Sequence, residues 1–184
     1  DHFMKNRNSL GRFAGGILLA NVLAVAAGAI LSALFGAIFD GALRWISTIL
    51  TVVLFFFFIY HEGWIRGGAD KNFVQDGRSA WVWWKGAAAG ALAAIPSCVL
   101  AVLSLLVSAG LLHTVTWMEQ DVAVMLYRVW DVPFQFLFGA LDALPALYFL
   151  PAVFMIAVAA LGYFLGGRQI RLSDYFYYAR ERDE

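Results

Sequence analysis

The sequence predicts an all-α membrane protein with four transmembrane helices. Of its 184 residues, 62% are hydrophobic and 14% charged, and the mean hydropathy is +0.73, far outside the range of soluble domains. Four stretches are long and apolar enough to cross a hydrocarbon core about 30 Å thick, which takes about 20 helical residues. Backbone in lipid must satisfy its own hydrogen bonds as helix or closed barrel. The ten-residue alternation of barrel strands is not visible.

The first helix is expected over 13–39, without a charge, and the second over 42–60, with only Arg44 near its start. The third covers 86–112 and the fourth 145–167, so that 1–184 forms a single polytopic membrane domain. Orientation follows from the basic residues, which are retained on the cytoplasmic side. Lys5, Arg7 and Arg12 precede helix one; Arg66, Lys71, Arg78 and Lys85 lie between helices two and three; Arg168, Arg171, Arg180 and Arg182 follow helix four. Only Arg44 and Arg128 of the thirteen lie on the other side. Both termini are therefore expected in the cytoplasm of a bacterial-type inner membrane. Asp1-His2-Phe3 ahead of Met4 reads as a cloning remnant, and no signal-peptide cleavage site stands in the expected place.

Between helices three and four, Thr116 with Glu119 matches a capping box, and Met118, Val122, Met125, Leu126 and Val129 recur at helical spacing opposite Glu119, Gln120, Asp121, Arg128 and Asp131. This predicts an amphipathic interfacial helix over 117–131 on the outer surface, ended by Pro133. The apolar run that follows is short enough to dip partly into the bilayer, and Asp142 stands where an N-cap for helix four would be. The tail, 168–184, reads as a second, cytoplasmic amphipathic element, with Ser173 as a capping candidate.

Helix one carries a small residue at every fourth position: Gly16, Ala20, Ala24, Gly28, Ser32 and Gly36. Helices in a bilayer associate through close backbone approach, so this is a packing stripe of GxxxG type. It advances about 400° per step and so drifts around the helix, which a straight partner is not expected to follow throughout. Gly86, Gly90 and Ala94 of helix three and Ala159, Gly162 and Gly166 of helix four offer matching surfaces. Internal packing and self-association both remain open uses. Gly63-Trp64-Ile65-Arg66-Gly67-Gly68 and Gly162-Tyr163-Phe164-Leu165-Gly166-Gly167 share one pattern, which fits a parallel internal repeat or simply helix-ending glycines.

Ionisable groups at membrane depth are functional candidates because their burial is expensive, but no expected helix has a charge near its middle. Asp40 and Arg44 form an expected outer surface pair. Pro96 should kink helix three, and the carbonyl freed near Leu92 needs Ser97, water or a neighbour, which makes 95–98 the place to look for a cavity. His61, Glu62, Asp70 and Asp76 concentrate polar chemistry at the cytoplasmic end of helix two, in a spacing that fits no metal motif. Trp81, Trp83 and Trp84 read as an interfacial belt. The lone cysteine, Cys98, lies in an apolar run where a thiol is normally inert.

No motif for nucleotide, metal or covalent chemistry is present, so neither catalytic nor metal residues nor cofactors are assigned. The zero net charge gives no reason to expect nucleic acid. Membrane lipids are the expected partners, with further copies of the chain or a larger membrane complex beside them. The sequence thus points to a non-enzymatic protein, either an oligomeric transport or channel-like protein or an accessory subunit. The alternative is a membrane-interface enzyme acting on lipids through 60–78. A third reading, an outer face over 114–141 that binds a peptide, rests on its aromatic content alone.

Overall fold

A computed structural model describes residues 10–38, 42–112, 116–117, 120–140 and 144–169. These are nearly all helical, and three helices are long and apolar enough to cross a membrane, or four if one bent pair counts as a span. The chain is an α-helical membrane protein. Helix α1 covers Leu10–Ile38 and α2 covers Ala42–Gln75. The bent pair is α3, Lys85–Ala93, and α4, Ile95–Ser108, which meet at 45°. A two-residue antiparallel ladder, β1 Thr116–Trp117 with β2 Gln120–Asp121, leads into α5, Val122–Trp130. Two 3-10 helices, Val132–Ala140 and Pro145–Phe149, precede α6, Leu150–Gly167.

Helix α2 shows how the bundle sorts its residues. Ser47, Thr51, Phe55, Ile59, Gly63 and Gly67 are buried at every fourth position, while Trp45, Ile49, Val53 and Phe57 are exposed two residues out of phase. Small and polar side chains thus face protein and large apolar ones face outward, as expected where lipid is no less apolar than leucine. The same rule places Ala20, Ala24 and Gly28 of α1 inside and Leu19, Leu23, Ile30 and Leu34 outside.

The stripe on α1 lies against α2. A Cβ on Gly16 would collide with the Glu62 carboxylate and one on Gly28 with the Thr51 methyl, so the two helices run antiparallel in one register. One partner follows the stripe from Gly16 to Gly28. Both helices use i+4 rows, and two such rows interlock when the helices cross at an angle. Gly36 lies in the last turn of α1. The 3-10 helix Val132–Ala140 packs over the same end, with Val132 against Gly28.

The two similar glycine patterns pack on each other. A Cβ on Gly63 would sit 2.9 Å from the Ala159 carbonyl oxygen, one on Gly162 2.5 Å from that of Tyr60, and one on Gly166 would strike that of Trp64. Helices α2 and α6 therefore run parallel with their backbones nearly in contact. Gly86 and Gly90 of α3 approach Tyr163 and Ile156 of α6 in the antiparallel sense. Along the chain the long helices alternate in direction. Arg12, Arg66, Lys71, Arg78, Lys85 and Arg168 fall at one end of the bundle.

Three expected boundaries change. Helix α2 does not stop at residue 60 or at its glycines but runs to Gln75. Gly77, at φ +68°, ends it: Arg78 N–H donates to the Phe73 carbonyl and Gly77 N–H to that of Val74, the paired bonds of a Schellman turn. The third span is broken at Ala94 rather than curved at Pro96, because Pro96 opens α4 at a first-turn position where its missing N–H costs nothing. The outer helix begins at Val122 instead of 117. Thr116 is held in the ladder rather than in a capping box, and Asp121 occupies the N-cap position without a side-chain capping hydrogen bond. Residues 118–119, Asp40, the side chain of Arg44, Asp142 and 170–184 lie outside the described residues, and with them the Asp40–Arg44 pair and the tail.

Candidate functional site

The break at Ala94 gathers the polar side chains of the bundle. Backbone N–H groups at the α3 cap take up the Gly90 and Leu92 carbonyls, so the carbonyl opposite Pro96 is satisfied locally. Ser97, 2% exposed, is left for other partners. Its oxygen accepts a hydrogen bond from Trp130 Nε1 at 2.9 Å, and its hydroxyl bonds to the carboxyl of Asp131.

Asp131 was expected on the polar outer face of the amphipathic helix, but only 3% of it is exposed. Arg128 keeps the exposed position expected of it, and Asp131 is the one that turns inward. Ala123 and Tyr127 are buried, while Leu126 and Val129 point outward at 46% and 52% exposure. Ser104 of α4 donates to the Ala123 carbonyl and the Tyr127 hydroxyl to that of Tyr148, which ties α5 to α4 and to the second 3-10 helix. Residues 123, 127 and 131 are four apart, so fixing Tyr127 inward turns Asp131 inward as well. Burial pushes the Asp131 carboxyl up to about 8, against the opposing effect of Ser97, and its Oδ2 has no protein partner.

One turn further on, Gln135 reaches between α1 and α2. Its Nε2 donates to Ser32 Oγ at 3.2 Å and to Thr48 Oγ1 at 3.1 Å. Beside it Phe134 meets Phe55 of α2 edge-on at 5.0 Å and Phe154 of α6 face-on at 5.8 Å. The segment after α5 thus enters the bundle to the level of Phe55, midway along the α1–α2 pair. Asn21 of α1 is also buried, and its amide nitrogen has no protein partner.

The polar residues expected at the end of helix two do not converge. His61 is exposed and stacks on Phe57, Glu62 pairs with Arg66 at 2.9 Å, and Asp76 lies 3.8 Å from Arg78. Among the described residues, no group of three or more metal-competent side chains exists. Asp70 alone is drawn inward. Lys85 Nζ donates to its Oδ2 at 2.6 Å and the Tyr163 hydroxyl to the same atom at 2.8 Å. Trp81 lies flat on the Tyr163 ring at 5.0 Å and covers Gly167, so it belongs to this contact rather than to a belt, whereas Trp83 and Trp84 remain exposed. This cluster joins α2, α3 and α6, and its groups are already partnered.

Comparison with known protein families, with curated proteins and with solved structures gives no match. Function is argued from geometry alone.

Proposed function

We propose that the chain is a small, non-enzymatic transport protein of a bacterial-type inner membrane, crossing it four times with both termini in the cytoplasm. The fourth crossing counts α3 and α4 as one broken span. The orientation rests on the basic end of the bundle, since lysine and arginine are retained on the cytoplasmic side.

One observation carries the transport reading. The break at Ala94 and the entering 132–140 segment bring Ser97, Trp130, Asp131 and Gln135 together within the bundle. Irregular backbone and ionisable groups at membrane depth persist where they are buried in protein or line a water path. Discontinuous spans are also where secondary transporters bind their cargo. GxxxG-type contacts between α1 and α2 and between α2 and α6 fit this role by holding a rigid frame around the break. The stripe from Gly16 to Ser32 faces α2 and Gln135, so the reading needs no second copy at that face. The rival, a lipid enzyme at 60–78, lacks support because His61, Glu62, Asp70 and Asp76 have separate partners.

The single cysteine supplies the test. Cys98 stands next to Ser97, and charged thiol reagents that do not enter lipid react only where water reaches. In nanodiscs, Cys98 is expected to be modified by such a reagent, and Ser97→Leu to slow the reaction. A Cys98 that resists modification until the protein is denatured would overturn the transport reading.

A further inference from the structure

We propose that Asp131 is a proton-binding site of this protein: its carboxyl, enclosed between α4, α5 and the 132–140 segment with one oxygen lacking a protein partner, takes up and releases a proton during transport. This rests on the transport reading above and names its coupling ion.

The geometry favours a proton over a structural ion pair. Among the described residues, no lysine, arginine or histidine pairs with Asp131. The neutral hydroxyl of Ser97 donates to it and is itself held by the Trp130 indole. None of the described residues supplies the countercharge that would keep this carboxylate ionised, so the neutral acid is the form that fits. The unpartnered Oδ2 is where that proton sits. Ser97 adapts to either state, because a hydroxyl donates to the anion and rotates to accept from the acid.

The groups facing Asp131 do not compete for the role. On α5, Tyr127 donates to the Tyr148 carbonyl, and burial first, then Asp131 and Tyr148, hold its phenol well above the ordinary range. Arg128 is exposed, with its guanidinium 6.0 Å from the centre of the Phe138 ring. The second 3-10 helix contributes Tyr148, whose hydroxyl lies 3.2 Å from Ser108 of α4, and α4 otherwise offers only Cys98. The 132–140 segment contributes the neutral Gln135. Between residues 150 and 162, α6 has no titratable side chain, and none occurs in α1 beyond Arg12 or in α2 between Trp45 and Tyr60. Among the described residues, Asp131 is therefore the group in this part of the bundle that changes charge near neutral pH.

Infrared titration of the intact protein in nanodiscs tests this. An ordinary aspartate, with a pKa of about 3.9, is fully ionised at about pH 6. The wild-type protein is expected to show the carbonyl stretch of a protonated carboxyl at that pH and to lose it with a midpoint near 8. Asp131→Asn should lack this band. Ser97→Ala should move the midpoint upward, since the hydroxyl favours the anion, and this variant identifies the band even if Asp131→Asn does not fold. A wild-type protein with no protonated carboxyl at about pH 6, or a band that neither substitution alters, would overturn the proposal. If Cys98 is reached by water but no carboxyl titrates, the proton site fails and the transport reading stands. A titrating Asp131 beside an unreachable Cys98 leaves the proton site and removes the transport role.

Discussion

Asp131 shows how far single residues can be read from this sequence. It lies in an amphipathic pattern opposite the apolar positions Leu126 and Val129, which suggests a solvated place for it. The hydrogen bonds of Ser104 to the Ala123 carbonyl and of Tyr127 to the Tyr148 carbonyl hold that side of α5 against the bundle, and Asp131 turns inward with it. The clue lay in the four-residue spacing from Ala123 to Asp131. Because the folded carboxyl is raised to about 8 from an ordinary value of 3.8, the folded state binds a proton that the unfolded state releases at lower pH. Stability should be greatest below about pH 4, fall as pH rises toward about 8 and level off beyond it. Melting curves across this range should show that slope in the wild type and a flatter one in Asp131→Asn. Asp70 was legible as a polar residue but not as part of a cluster, since Lys85 and Tyr163 lie 15 and 93 positions away. Lys85→Met should cost roughly 2 kcal/mol by removing a charged hydrogen bond. Adding Asp70→Asn should recover part of that loss in a double-mutant cycle.

At the level of elements, the small-residue rows were visible and their partners were not. The sequence offers Gly16 to Gly36, Gly86 to Ala94 and Ala159 to Gly166 as equivalent surfaces, and spacing alone does not say which meets which. The partner of Gly162 and Gly166 proved to be the other glycine pattern, through Tyr60 and Trp64. Closeness sets the expectation here. Gly166→Ala would press a methyl into the Trp64 carbonyl and should destabilise by about 1–3 kcal/mol. Gly15→Ala, with nothing within 4 Å, should be neutral or stabilise by roughly 0.5–1 kcal/mol through helix propensity. Unfolding midpoints in detergent compare the two, and equal effects would mean that α2 and α6 do not touch there. The break in the third span was foreseen from Pro96 but placed two residues late. Proline is tolerated in a first turn, so the discontinuity falls before it, at Ala94.

For the whole molecule, hydropathy was enough to read a helical membrane protein, because a bilayer imposes length and apolar character on every span. The filling of the bundle by 132–140 was only hinted at by its apolar character. That arrangement depends on contacts such as Phe134 with Phe55 and Gln135 with Ser32, more than 75 positions apart in sequence. The four-span orientation predicts that reporters fused at both termini respond from the cytoplasm; a reporter exposed on the opposite side would require redrawing the topology. The proposed proton site is a buried Asp131 carboxyl that water reaches. Charge movement after a pH step, recorded from proteoliposomes adsorbed on a supported membrane, tests it most directly, since a proton entering the bundle displaces charge through a low-dielectric layer. The wild type is expected to give a transient that follows the titration of Asp131 and is lost in Asp131→Asn. A wild-type signal no larger than that of empty liposomes would contradict it.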